Sequence, residues 1–211
     1  MDFARQLGDV ERSVNTLEID GKAAGAVVLS RRFGTSAGDL WEVLTDPERI
    51  PRWFAPVSGE LKEGGRFQVE GNAGGQILTC TPPRKLELTW EMQGDVSWVT
   101  LELEEVSSEE TAFTLVHTAH VSPFWDQFGP GAVGVGWDGA LLGLALHVAE
   151  PEAEKPDAMT FHETPEGRAF LEGAAARWGT ADEAAGASPE DANRRAAATR
   201  AFYLGETPPG A

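Results

Sequence analysis

The spacing of apolar positions divides this chain into stretches of different period. Val14 to Ile19 and Ala26-Val27-Val28-Leu29 are two extended segments around the turn dipeptide Asp20-Gly21, which predicts a hairpin, with residues 1–12 as a loose lead-in. Leu40, Trp41 and Leu44 then fall at helical spacing behind Ser36-Ala37-Gly38-Asp39, a capping pattern. Asp46-Pro47 predicts a second, short helix, because Asp accepts from free N–H groups and proline tolerates the first helical position. This segment delivers Trp53 and Phe54. From residue 58 the period is two. Glu63-Gly64-Gly65 separates two short strands, Phe67 and Val69 share a face, and Gly71 to Gly75 makes the next turn. Leu86, Leu88 and Trp90 alternate with Lys85, Glu87 and Thr89, and Val99, Leu101 and Leu103 with Thr100, Glu102 and Glu104, as half-buried antiparallel strands require. Phe113, Leu115 and His117 repeat the pattern after Ser107-Ser108-Glu109-Glu110, which puts His117 on the apolar face and His120 on the other.

Residues 122–136 are too rich in proline and glycine to be regular throughout. Behind them Trp137, Ala140, Leu141, Leu144 and Val148 form one stripe of a long apolar helix opening at Gly136-Trp137. Pro151 to Pro156 breaks it in a charged linker. Thr164-Pro165 and Ser188-Pro189-Glu190-Asp191 mark two further helix starts. The first carries the stripe Leu171, Ala174, Ala175 and Trp178, and Phe202-Tyr203 ends the second. An isolated helix cannot expose such a stripe to water, so these two helices are expected to pair.

The order of these elements, with Thr45-Asp46-Pro47, Trp53-Phe54, Pro82-Pro83-Arg84-Lys85-Leu86-Glu87-Leu88-Thr89-Trp90, Thr111 through His117-Thr118, and Gly136-Trp137 with Leu141 and Leu144, resembles the START-like or SRPBCC helix-grip superfamily. Within it the chain is similar to the activator-of-heat-shock-protein-ATPase-like branch, whose relatives include polyketide cyclases and dehydrases. The resemblance implies an α+β fold: a curved antiparallel sheet wrapped around the long helix, with two short helices after the first strand. It divides the chain into an N-terminal lead-in and hairpin strand (1–25), the helix-grip domain (26–149) and a C-terminal helical appendage (150–211). It also implies a cavity between sheet and long helix that takes a small apolar molecule. Trp53, Phe54, Phe67, Trp90, Leu101, Phe113, Leu115, His117, Trp137, Leu141 and Leu144 fall on the inferred inner faces, and their aromatic and aliphatic character suits such a site.

Composition narrows the function further. At 211 residues and 41% hydrophobic content the chain has room for one ordinary domain with appendages. Its formal net charge of −17 repels phosphate backbones and anionic lipid surfaces, which excludes nucleic acid and membrane insertion as expected partners. The single cysteine, Cys80, allows no internal disulfide and no cysteine metal cluster, which fits the cytoplasm. Gly134-Val135-Gly136-Trp137-Asp138-Gly139 has dinucleotide-loop spacing but follows a loop instead of a strand, so no cofactor is expected. His117 and His120 leave opposite faces of a strand and cannot share a metal, and no G-x-S-x-G elbow supplies a nucleophile. The expected function is therefore a non-catalytic carrier or sensor of a small apolar ligand, with no catalytic residue. The alternatives are a cyclase- or dehydratase-like enzyme using His117, Asp126 or Asp138 for proton transfer, and a co-chaperone-like interaction module. Asp138, in the first turn of the long helix, is expected to complement the helix dipole. A homodimer stays open.

Overall fold

The structure, a computed structural model, describes residues 2–208; residue 1 of the lead-in and residues 209–211 of the appendage lie outside the described residues. The hairpin forms as expected from β1 (Glu11–Ile19) and β2 (Lys22–Phe33). Asp20 and Gly21 both take positive φ, 51° and 75°, the geometry a two-residue hairpin turn needs. The lead-in is not loose. The Asp2 side chain accepts from the N–H groups of Ala4 and Arg5 and caps α1 (Phe3–Gly8), whose Leu7 is buried. A helix of six residues is too short to establish a period, so the sequence pattern passes over it.

Ser36 accepts from the Asp39 N–H and starts α2 (Ala37–Thr45), which buries Leu40, Trp41, Val43 and Leu44. The second short helix starts later than expected. The Asp46 carboxylate does accept from the Glu48 N–H, but Asp46 closes α2, and only Ile50–Arg52 forms one 3₁₀ turn, with proline at its start. Six strands follow: β3 (Val57–Gly59), β4 (Arg66–Val69), β5 (Gly74–Thr81), β6 (Lys85–Met92), β7 (Asp95–Ser107) and β8 (Glu110–His120). The sheet has eight antiparallel strands in the order β1-β2-β8-β7-β6-β5-β4-β3. Gly74 and Gly75, expected in a turn, belong to β5. A Cβ on Gly75 would lie 2.0 Å from the Thr89 carbonyl oxygen, so close packing, not turning, demands that glycine.

Residues 122–136 are more regular than their composition suggested. Ser122 caps α3 (Pro123–Phe128), Gly129 breaks the chain at φ 61°, and α4 (Gly131–Ala149) begins six residues before Trp137. Its glycines give neighbours room: a Cβ on Gly134 would meet the Trp178 indole at 2.1 Å, and one on Gly143 the Trp53 carbonyl at 2.4 Å. Asp138 is therefore mid-helix, where the dipole explanation fails. By length and a mean hydropathy of 1.4, α4 would suit a bilayer, yet 56% of it is buried within the protein, as in a core helix. Thr164 and Ser188 cap α5 (Pro165–Ala184) and α6 (Pro189–Tyr203) at the expected starts. These are the elements of an α+β helix-grip fold, with the α5–α6 pair added.

The chain divides into two compact units, one formed by residues up to Leu29, His120–Leu142 and the chain from Pro156, the other by Ser30–Ala119 and Gly143–Lys155. In the first, α5 and α6 pair as expected. Ala196 lies 2.9 Å from where a Cβ on Gly179 would be, Arg195 bonds Asp182 at 3.1 Å, and Arg200 reaches Glu172 at 3.2 Å. Leu171, Ala174, Ala175 and Trp178 are all buried. At the centre, the Asp138 carboxylate accepts from Arg12 at 2.6 Å and from the Trp178 indole N–H at 2.9 Å. Arg12 also donates to the carbonyls of Val10 and Leu7, and the two charged side chains retain 4% and 0% exposure. Burial raises the Asp138 pKa, opposed by Arg12 and the indole N–H.

Candidate functional site

In the second unit, strand parity assembles one apolar face. Leu86 of β6 pairs with Leu101 of β7, which pairs with Leu115 of β8; Leu88, Val99 and His117 make the adjacent row, and Leu103 and Phe113 the next. Phe67 of β4 lies opposite Gly75 of β5, and the missing side chain leaves the Phe67 and Trp90 rings 6.2 Å apart. Trp90 in turn meets the edge of His117 at 6.5 Å. Most of the face is closed packing: Phe67, Leu86, Leu88, Val99, Leu103, Phe113 and Leu115 are buried. Leu101 is not. It keeps accessible surface although Val99, Leu103, Leu86 and Leu115, its neighbours along and across the strands, are all buried. Trp90 likewise is half-buried.

His117 is the polar member of its row. It is 6% exposed, and its Nε2 lies 2.8 Å from Ser97 Oγ, which donates its own proton to the Trp90 carbonyl at 2.9 Å. With that proton engaged, Nε2–H is the donor to Ser97, which fixes the tautomer and turns the lone pair to Nδ1. Burial lowers the pKa of His117 to about 4, so the ring is neutral at pH 7. Ser97 was missed in the sequence, although its parity with Val99, Leu101 and Leu103 marked it as inward-facing.

The turn after α2 carries Trp53 and Phe54. The Trp53 indole N–H donates to the Val43 carbonyl at 2.9 Å, and its ring stacks on Phe54 at 5.4 Å. Both are half-buried, while Leu144 of α4 is fully buried. The turn leads into β3, whose Val57 pairs with Val69. Trp137, half-buried, and Leu141, buried, belong to the other unit. Of the residues considered for proton transfer, Asp138 is committed to Arg12 and Trp178, and Asp126 is exposed on α3, its backbone carbonyl facing Arg194 and Arg195. No cluster of three His, Cys, Asp or Glu side chains suited to a metal occurs among the described residues.

Comparison with known proteins places this architecture. The sequence profile described as "Activator of Hsp90 ATPase homolog 1-like protein" matches residues 34–149. The crystal structure of CalU16 from Micromonospora echinospora is 31% identical, with a TM-score of 0.60 over 78% of this chain and 98% of that one. The solution structure of the same protein gives 30% identity and a TM-score of 0.66, covering 83% of this chain and 96% of that one. DynU16, from the dynemicin biosynthetic locus, is 20% identical with a TM-score of 0.55 over 63% of this chain and 50% of that one, a likeness of fold alone. No curated protein matches the chain by sequence.

Proposed function

Because the chain belongs to the family of Activator of Hsp90 ATPase homolog 1-like proteins, within the SRPBCC helix-grip superfamily, we propose that it is a non-catalytic carrier or sensor of a small apolar ligand in the cytoplasm. The observation that carries this reading is Leu101, which keeps accessible surface while its aliphatic neighbours on the same face are packed shut. An apolar side chain with open surface among buried aliphatics, on the same face as the half-buried Trp90, is a contact waiting for an apolar partner. Trp53 and Phe54 line its approach. The fully buried Phe113, Leu115 and Leu144 shape the floor.

His117 supplies the polar point by which a ligand is oriented. A histidine with its pKa pushed down to about 4 is a weak general base at neutral pH, which favours binding over proton-transfer chemistry. Native mass spectrometry of the purified protein tests the reading. A co-purifying apolar molecule, recovered unchanged after incubation, is the expected result. Conversion of that molecule to a product, with the rate lost in His117→Ala, would establish an enzyme in its place.

A further inference from the structure

The turn that presents Trp53 and Phe54 is held at three points, and these differ in kind. One is the Trp53 indole on the Val43 carbonyl of α2. A second is contact with α4, where Gly143 lies so close to the Trp53 carbonyl that no Cβ fits. The third comes from outside any regular element: Lys155, beyond the end of α4, places Nζ on the carbonyl of Pro51 at 2.7 Å and on that of Phe54. A single 3₁₀ turn leaves its last carbonyls without a following N–H, and the ammonium supplies the missing donors. Its choice of partners is informative. Lys155 is the one basic residue of the segment Glu150-Pro151-Glu152-Ala153-Glu154-Lys155-Pro156-Asp157, with carboxylates on both sides in sequence, yet among the described residues it makes no ion pair and binds two neutral carbonyls instead. Its bonds are exposed while that of the Trp53 indole is part-buried, so this tether releases more easily than the other two.

We propose that Lys155 is a latch on the aromatic turn: by holding the Pro51 and Phe54 carbonyls it fixes Trp53 and Phe54 in place and sets how fast an apolar ligand enters and leaves. It is a positioning residue, acting through the backbone that carries the two rings. The proposal rests on the carrier reading, but the tether itself is read without a ligand. The Trp53 and Phe54 amides both donate to the Ile50 carbonyl, so their hydrogen exchange reports the closed turn directly.

The experiment compares wild type, Lys155→Gln and Lys155→Arg by amide exchange and by stopped-flow release of an environment-sensitive apolar dye. Lys155→Gln removes the charge and should speed both the exchange of these amides and dye release by about tenfold, the loss expected for a charge-assisted hydrogen bond. Lys155→Arg, which keeps the charge and the donors, should stay close to wild type. Exchange unchanged in Lys155→Gln would overturn the latch, and so would faster exchange with dye release unaltered. If wild type binds no dye at all, the carrier reading and the gating role fall together, and exchange alone decides the tether.

Discussion

Both units of the molecule bury polar side chains among apolar ones, and they satisfy them in opposite ways. In the unit built on α5 and α6, Asp138 is fully enclosed and accepts from a guanidinium and an indole, while Arg12 adds two backbone carbonyls, so both buried charges are met by a charge or a dipole. In the unit built on β3 to β8, His117 lies in an apolar row with a serine hydroxyl as its bonded partner and is kept neutral by burial. The first arrangement is committed, since neither Asp138 nor Arg12 can leave the other without stranding a charge. The second is adaptable, because a neutral imidazole beside an incompletely covered leucine tolerates an apolar neighbour. The contrast separates a structural clasp from the face proposed to bind an apolar ligand.

The largest expected effect breaks the clasp. Asp138→Ala strands the Arg12 charge and should lower the unfolding free energy by about 3–5 kcal/mol in denaturant titration. Replacing both members, Arg12→Met with Asp138→Leu, should recover much of the loss, because the desolvation penalty disappears with the pair. A single variant as stable as wild type would remove the distinction between the two units.

A second effect sharpens the comparison through pH. In the unfolded chain His117 titrates near its ordinary value of 6.5, but in the folded protein only near 4. Between these values the unfolded state binds the proton and the folded state does not, so stability falls as pH falls through this window, by about 3 kcal/mol in total. Urea titrations at pH 7 and at two points between 6 and 4 should show this slope in wild type and a shallower one in His117→Gln. Equal slopes would mean that His117 is solvated enough to titrate normally.

The same contrast explains what was legible in the sequence. Period-two alternation is a local property, so the inner face from Leu86 to His117 could be read directly, and so could the caps at Ser36, Thr164 and Ser188. The clasp could not. Arg12 and Asp138 are 126 residues apart, and each in isolation resembles a solvated surface charge. The early start of α4 was hidden for a related reason. Its glycines signal loop by composition, whereas Gly134 and Gly143 are demanded by Trp178 and by the Trp53 backbone. Leu101 was assigned to the correct face, but its retained surface depends on what stands over it, which no periodicity reports.

The most direct test of the proposed binding face places a larger side chain over the Leu101 surface. Leu101→Trp should fold, since it grows into space left open above the strand, and should weaken binding of an apolar dye at least tenfold from a micromolar starting affinity, about 1.4 kcal/mol or more. The measurement is a fluorescence titration of both proteins, with thermal melts alongside. If Leu101 is in fact packed shut, Leu101→Trp will overpack the core, costing about 1–3 kcal/mol of stability, and dye will bind both proteins equally or neither. That result would contradict the account.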